Sequence, residues 1–350
     1  MTKDIHTMYG RQPGKISSTA LLVPGRRSLL SGLMLSLLLA LSGIGGNAYA
    51  QANYPNKPIR LIVPFPAGES IDAIARIITK PWSALLGQPI IVENRPGAGG
   101  LIGSADVAKA APDGYTLLMG NVGGLGILPA LKQNMPYDAL KDFTPVAQVS
   151  NVPFFLFVSS KLPVKSVQEL IEYAKKNPGK LNFPSTGIGS GPHLAGEFFK
   201  YLTKINVVHV PYKGVSQALP ELISGKVHFV FYPSTFIPYV KDGSLRPLLI
   251  ASDHPSVALP DVPTSADVGL PDLIAGSWHA IVAPAGTSPE VVKKLNQTLV
   301  AALAEKDIRN QMIAIGVEPV GGSPEQLGEF MAKQIKTLKT IGEVSGIKLD

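Results

Sequence analysis

Two loops rich in glycine and serine have the residue types needed to bind an anion. Loop A, residues 64–72, reads PFPAGESID, and loop B, residues 185–193, reads STGIGSGPH. Each loop lies between a β-rich run and a helical stretch, so its small residues let backbone N–H groups at a helix N-terminus approach an anion. The alternative is an ordinary strand-to-helix turn, in which Ser70 or Asp72 caps the helix after loop A. The sequence leaves both interpretations open.

Two enzyme chemistries fit these loops poorly. Ser190 and His193 suggest a hydrolase, but three residues apart around a helix start they rarely align as nucleophile and base, and no Gly-x-Ser-x-Gly elbow is present. Residues 93–103 resemble a dinucleotide-binding loop, yet the third glycine comes one place late and the next strand ends in Gly120-Asn121 instead of an acid. We therefore expect no catalytic residues and no cofactor, and we interpret this glycine-rich loop as a structural turn.

Lys213 and Tyr232 each follow a β-rich run in the second half of the chain. Lys213 is a candidate cationic partner for an anion, and Tyr232 a candidate cover for an apolar or aromatic ligand body. Alternatively, each is a solvated or packing residue. The histidines after residue 50 have no metal-site spacing, so we predict no metal site and structural roles for most of them.

The first fifty residues have the three parts of an export signal. A basic stretch ends in Arg26-Arg27, an apolar run spans residues 29–41, and Ala48-Tyr49-Ala50 closes the segment. The apolar run falls short of the roughly 20 residues that a membrane-spanning helix needs. We predict a signal peptide over residues 1–50, cleaved after Ala50, with export by the general or the twin-arginine route.

Composition excludes several classes of protein. The chain has no cysteine, which rules out disulfides, thiolate metal sites and a lipid-modified cysteine. Five of the 32 basic residues and one of the 25 acidic residues precede Gln51, which leaves 27 against 24 in the mature part. A charge this close to neutral predicts no nucleic-acid partner. We expect an unanchored, monomeric protein of the Gram-negative periplasm.

The elements that position these loops alternate between strand and helix. Apolar runs near residues 59–65, 90–93 and 115–119 flank helical stretches near 70–86 and 98–110, which predicts a mostly parallel sheet covered by helices. A second unit of the same kind runs from Phe154 to Ala251, and two helices that open with Ser-Pro-Glu end the chain.

The 300 residues from Gln51 to Asp350 exceed the usual size of a domain with a single hydrophobic core, so we predict two α/β lobes. Residues 53–150 plus 280–350 form lobe one and residues 151–279 form lobe two. Two crossings, near residues 149–153 and 279–283, would then act as a hinge.

Four motifs give the chain a resemblance to a known family. They are VENRPGAGG at 92–100, PDGYTL at 112–117, VPYKG at 210–214 and LPDVPT at 259–264. Together they resemble the periplasmic receptors of tripartite tricarboxylate transporters, also called Bug proteins. The resemblance implies a type II periplasmic-binding-protein fold that closes on a carboxylate and presents it to a large and a small membrane subunit.

The resemblance also implies that the carboxylate is held between Ala67–Asp72 and Thr186–Ser190, which agrees with the choice of loops A and B. The candidate ligand-binding residues are Phe65, Ala67, Gly68, Glu69, Ser70, Asp72, Asn121, Thr186, Gly187, Gly189, Ser190, His193, Lys213 and Tyr232.

The chain departs from the family pattern at two places. Loop A of the family usually reads Gly-Gly-Ser-Thr-Asp, whereas Glu69 and Ile71 stand here, and a carboxylate from Glu69 near a bound anion would be repulsive. His228 and Tyr232 stand where the family usually has aspartates, which favours a neutral-bodied or aromatic carboxylate over an amino acid. An orphan or chemosensory binding protein and a secreted hydrolase are the alternative functions.

Overall fold

A six-stranded mixed sheet forms the centre of the first lobe. The structure is a computed structural model that describes residues 54–349, and the predicted signal peptide lies outside these residues. The strands are β1 (Ile59–Val63), β2 (Ile90–Asn94), β3 (Thr116–Asn121), β4 (Phe143–Pro153), β10 (Gly276–Pro284) and β11 (Glu318–Gly321). They lie in the order β11-β4-β10-β3-β1-β2, so two separated segments of chain build one sheet.

The second lobe holds the strands between β4 and β10. They are β5 (Phe155–Ser159), β6 (Asn182–Ser185), β7 (Val208–Pro211), β8 (Phe229–Tyr232) and β9 (Leu245–Ile250). One sheet has the order β8-β5-β9, with β5 antiparallel to both neighbours, and β6 pairs with β7 in parallel. The chain thus has the two-lobed α/β architecture that its sequence predicts.

The prediction of mostly parallel sheets is wrong, because five of the eight strand pairings in residues 54–349 are antiparallel. β1 is parallel to β2 and β3, but β10 is antiparallel to β3 and β4, and β11 is antiparallel to β4. The chain leaves the first lobe along β4 and returns along β10. Two passages in opposite directions that lie side by side must pair in antiparallel fashion.

The two passages between the lobes meet at Phe154 and Ala275. The Phe154 N–H donates to the Ala275 carbonyl at 3.0 Å, and the Ala275 N–H donates to Ala251 at 3.0 Å. A Cβ on Gly276 would lie 2.6 Å from the Val152 carbonyl oxygen, so only glycine allows this close approach. The predicted return crossing, residues 279–283, instead lies inside β10 and is paired with β3 and β4 over most of its length.

Helices cover the sheets of both lobes. They are α1 (Ser70–Leu86), α2 (Leu101–Ala108), α3 (Leu128–Leu131), α4 (Val167–Lys176), α5 (Gly191–Thr203), α6 (Val215–Ser224), α7 (Ile237–Lys241), α8 (Pro289–Ala304), α9 (Lys306–Ala314) and α10 (Pro324–Ser345). α1 forms because its apolar residues recur at helical spacing and are buried, among them Ile71, Ile74, Ile78 and Trp82.

The end of the chain is richer in structure than predicted. Where the sequence predicts two helices without a sheet, the structure has three helices, α8 to α10, and the strand β11. β11 reads EPVG, which carries no apolar run, so its pairing with β4 had no local signal.

α10 packs on both lobes. Its residues Leu327 and Met331 belong to the core around Ile62 and Trp278, whereas Leu338 and Ile341 join the core of the second lobe. Within residues 54–349, no helix combines the length and the apolar character needed to cross a membrane.

Candidate ligand-binding site

Loop A is held closed by the carboxylate of Asp72. The side chain of Asp72 is 3% exposed, and its Oδ2 accepts from the Gly68 N–H and from Arg76 Nε, each at 2.9 Å. Asn94 Nδ2 donates to Asp72 Oδ1 at 2.9 Å and to the Phe65 carbonyl at 3.1 Å. Both carboxylate oxygens of Asp72 are therefore hydrogen-bonded within the protein, by loop A, by α1 and by the end of β2, so the side chain stabilises the shape of the loop.

These bonds keep Asp72 ionised. Burial by itself raises the pKa of Asp72, but the hydrogen bonds from Arg76, the Gly68 N–H and Asn94 outweigh it and lower the pKa to about 2. The negative charge of Asp72 is balanced by Arg76, which pairs with it four residues further along α1. The tip of loop A, Ala67 to Ser70, is exposed.

Loop B is closed by hydrogen bonds of its own. The Gly189 N–H donates to His193 Nδ1 at 3.0 Å, and the Gly187 N–H donates to Ser185 Oγ at 3.1 Å. The Ser190 hydroxyl donates to the Gly187 carbonyl at 2.7 Å. These hydrogen bonds fix the backbone conformation of loop B up to the start of α5. Thr186, within the loop, is partly exposed.

The helices after loops A and B both begin without a side-chain cap. Neither Ser70 nor Asp72 caps α1, because Glu69 is at the N-cap position and Asp72 binds the N–H of Gly68, before the helix. Ser190 is at the N-cap position of α5, yet its hydroxyl turns back to Gly187. The capped turn, which was the alternative interpretation of loop A, is therefore not observed, and the first-turn N–H groups of both helices lack a side-chain acceptor.

Ser190 is an exception among the serine N-caps in the described part of the chain. Ser166 accepts from the Glu169 N–H, Ser288 from the Val291 N–H, and Ser323 forms a full capping box with Gln326. All three of these helices start away from loops A and B. A serine that could cap α5 but does not leaves that helix terminus available to an anion.

The other predicted site residues have more local roles. Asn121 Oδ1 accepts from the Gly124 N–H at 3.0 Å and shapes the turn after β3. Lys213 is exposed, and its backbone N–H donates to Gln217. Tyr232 is half-buried and stacks on Phe236 with ring centroids 4.4 Å apart, and burial raises the pKa of its hydroxyl.

Tyr232 and Thr186 line one very small cavity of about 10 Å³ in the second lobe, no larger than a water molecule needs. Its other walls are largely aliphatic, including Val215 and Leu219 of α6, so it offers apolar surface at the edge of loop B. Of the predicted residues, Thr186 of loop B therefore lies together with Tyr232. No hydrogen bond in residues 54–349 joins loop A to loop B, so each loop is shaped independently of the other.

Sequence reasoning missed the residues that support the two loops. Asn94 is at the end of β2, opposite Val63 in a parallel register, so it adjoins loop A only because these strands pair. Arg76 has a local signal, the four-residue spacing from Asp72 along a helix. Ser185 and His209 meet through the parallel pairing of β6 and β7.

Two other features bear on the predicted chemistry. In the glycine-rich loop, Arg95 pairs with Asp106 at 2.9 Å and the chain turns directly into α2, which supports the structural-turn interpretation. Across residues 54–349, the histidine, aspartate and glutamate side chains form no group of three that could hold a metal ion.

The fold is that of a solute-binding protein with two lobes. Residues 74–347 match the family described as "Tripartite tricarboxylate transporter family receptor", and the chain belongs to that family. Receptors of this family are periplasmic binding proteins.

Individual relatives cover nearly the whole chain. Protein BugT of Bordetella pertussis is 36% identical over 322 residues, which span 90% of this chain and 97% of BugT. The structure of R. palustris Rpa4515 with adipate is 35% identical, has a TM-score of 0.68, and covers 85% of this chain and 99% of its own. MatC (Rpa3494) from Rhodopseudomonas palustris with bound malate is 32% identical, with a TM-score of 0.64, and covers 82% and 99%.

Proposed function

We propose that this chain captures a small carboxylate between loop A and loop B and delivers it to the large and small subunits of a tripartite membrane transporter. The uncapped start of α5, where the Ser190 hydroxyl turns away from the helix, carries the proposal. In this function the protein acts as a monomeric receptor in the periplasm, after cleavage at Ala50, and catalyses no reaction.

The hydrogen bonds of the loops indicate which amides would hold the carboxylate. The N–H groups of Gly68, Gly187 and Gly189 already have acceptors within the protein. The donors left to a ligand are those of the first turns of α1 and α5, beginning at Ser70 and Gly191. The site therefore uses helix N-termini, with the glycines as shaping residues.

One helix terminus on each lobe suits a ligand with two acidic ends or with one acidic and one apolar end. Adipate, bound in one relative, and malate, bound in another, each have two carboxylates. The surface beside Tyr232 and Thr186 is mostly apolar, which favours a ligand whose body is aliphatic or aromatic over one whose body is hydroxylated. Lys213, just after β7, is the candidate for a cationic contact.

A thermal-shift and calorimetry screen with adipate and malate tests this function. A ligand at a hundred times its Kd stabilises the protein by about 2.7 kcal/mol. The matched control is 1,6-hexanediol, which has the length of adipate but no charge. We expect stabilisation by adipate and none by the diol. Equal stabilisation by both, or no response to any carboxylate, would contradict the proposal.

We also propose that the two lobes close on the ligand about the passages at Phe154 and Ala275, a few residues from the boundaries predicted at 150 and 279. Closure of two rigid bodies reduces the radius of gyration without changing secondary structure. Small-angle scattering with saturating adipate should show this compaction, and the diol should not cause it. Identical scattering profiles with and without a bound carboxylate would exclude hinge closure.

A further inference from the structure

Two histidines stack against each other next to loop B. His193 of α5 and His209 of β7 have ring centroids 3.6 Å apart and an interplanar angle of 17°. Phe183 packs beside the pair, with its ring centroid 5.1 Å from that of His209 and 6.4 Å from that of His193. His193 is 5% exposed, so its ring is enclosed by the core of the second lobe. Neither ring has a part in the anion site proposed above.

His193 accepts the amide hydrogen of loop B. The Gly189 N–H donates to His193 Nδ1 at 3.0 Å, a bond that requires Nδ1 to carry no hydrogen. The neutral ring then has its proton on Nε2. A backbone amide at the centre of loop B is thus oriented by a side chain from the first turn of the helix that the loop precedes.

His209 acts on the same loop through Ser185. His209 Nε2 lies 2.7 Å from Ser185 Oγ, and this oxygen also contacts the Gly187 N–H at 3.1 Å and the Gly187 carbonyl at 3.0 Å. When the Ser185 hydroxyl donates to the Gly187 carbonyl, its lone pairs accept from the Gly187 N–H and from His209 Nε2–H. The Ser185 hydroxyl is then fully hydrogen-bonded.

Both rings are neutral at neutral pH. Burial lowers the pKa of His193 to about 4 and that of His209 to about 4, and the cation of Lys200 acts in the same direction on each. Glu197 raises the pKa of His209 but does not overcome burial. Neutral rings can stack at this distance, and a neutral His193 keeps Nδ1 free to accept from Gly189.

We propose that His193 and His209 are positioning residues that set the shape of loop B, His193 through Gly189 and His209 through Ser185 and Gly187. The inference rests on the proposed function in one respect, that loop B is a ligand-binding loop. It differs from the expectation that His193 contacts the ligand, because the ring nitrogen that faces loop B is already bonded to the protein.

The test compares two substitutions of His193. His193→Asn keeps an acceptor oxygen close to the position of Nδ1, whereas His193→Leu removes the acceptor but keeps an apolar side chain. We expect adipate affinity about tenfold weaker in the leucine variant and close to wild type in the asparagine variant, as for the loss and retention of one hydrogen bond. Hydrogen exchange at the Gly189 amide should accelerate about tenfold in His193→Leu only.

Thr203→Val is the matched control. Thr203 is buried in the same helix, α5, and its hydroxyl donates to the Phe199 carbonyl at 2.6 Å, far from loop B. This variant loses a buried hydrogen bond and should keep both the adipate affinity and the Gly189 exchange rate of the wild type. A loss of affinity in Thr203→Val equal to that in His193→Leu would show general destabilisation and overturn the proposal.

Three outcomes decide the matter. Unchanged affinity and exchange in His193→Leu would overturn the proposal, as would an asparagine variant as impaired as the leucine variant. Should His193→Leu not fold, Ser185→Ala takes its place, with faster exchange at Gly187 expected and unchanged exchange contradicting the proposal. Failure of the wild-type protein to bind any carboxylate would contradict the proposed function. Amide exchange is measured without ligand, so it would still test the positioning role of the histidines.

Discussion

The imidazole Nε2 of His254, in the second lobe, lies 3.0 Å from the carboxylate Oε2 of Glu318, in the first lobe. The other ring nitrogen, Nδ1, lies 2.7 Å from Oδ1 of Asp253, so each nitrogen of the ring contacts a carboxylate. Glu318 begins β11 and lies opposite Asn151, close to the passage at Phe154. The pair therefore joins the two lobes beside their connection.

We predict that this pair makes stability depend on pH. Burial lowers the pKa of His254, but Asp253 and Glu318 outweigh it and raise the pKa above 6.5, and Lys333 of α10 acts on Asp253. Because the pKa of His254 is higher in the folded than in the unfolded protein, the pair stabilises the fold fully at a pH below the unfolded-state pKa. This stabilisation is lost as the pH rises through the folded-state pKa.

Glu318→Gln should accordingly lower the free energy of unfolding more at about pH 6 than at about pH 8, by at most about 1 kcal/mol because the pair is partly exposed. Thermal unfolding across this pH range is the measurement. Glu172→Gln, which breaks an exposed pair with Lys176, is the control and should show no such trend. A wild type and a Glu318 variant with parallel pH profiles would exclude the contribution.

Asp72→Asn should destabilise the fold by about 2 kcal/mol at neutral pH, from the difference between pKa values of 3.8 and about 2 in a carboxylate that is 3% exposed. Because the folded pKa is lowered, the contribution is present above 3.8 and is lost as pH falls towards 2. Urea unfolding at pH 7 and near pH 3 measures it. Asp106→Asn, at an exposed pair with Arg95, should change stability far less, and equal effects would refute the stabilising role of Asp72.

Gly189→Ala should disturb loop B because the added methyl group would clash with Leu349, near the C-terminus. Gly189 has φ +77°, and a Cβ there would lie 2.7 Å from Leu349 Cδ2. Gly68 has φ +87° with open space around it, so Gly68→Ala meets backbone strain alone, about 1 to 2 kcal/mol. We expect Gly189→Ala to be the more destabilising in chemical unfolding, and Leu349→Ala to recover part of the difference. No recovery in the double variant would mean that the contact with Leu349 is unimportant.

Glu69→Gln should tighten the binding of adipate severalfold, because Glu69 is the N-cap residue of α1 and lies at the helix terminus proposed to hold a carboxylate. The gain should shrink as salt is added, as expected for an exposed charge. Calorimetric titration at low and high salt measures this effect. Glu325→Gln, the same change in the first turn of α10, is the control. Unaltered adipate affinity in Glu69→Gln would indicate that this carboxylate faces away from the ligand.

Much of the local structure could be predicted from the sequence. The helix predicted near residues 70–86 is observed as Ser70–Leu86, and the helix after Ser166 runs over Val167–Lys176. The Ser-Pro-Glu openings at Ser288 and Ser323 cap their helices. These features depend on contacts within a few residues, such as apolar spacing along one helix face and a serine next to a first turn, so neighbouring residues suffice to specify them.

The sequence by itself therefore determined the alternation of strands and helices, the helix starts at loops A and B and the motifs of the receptor family. Only the tertiary structure decided what those loops touch. Asn94 reaches Asp72 through strand pairing, His209 meets His193 through the packing of β7 on α5, and Leu349 meets Gly189 from the far end of the chain. The antiparallel pairing of β10 with β4 was likewise decided by the tertiary structure. Each of these contacts joins residues far apart in sequence, and their register is set by how whole elements pack, which no local pattern encodes.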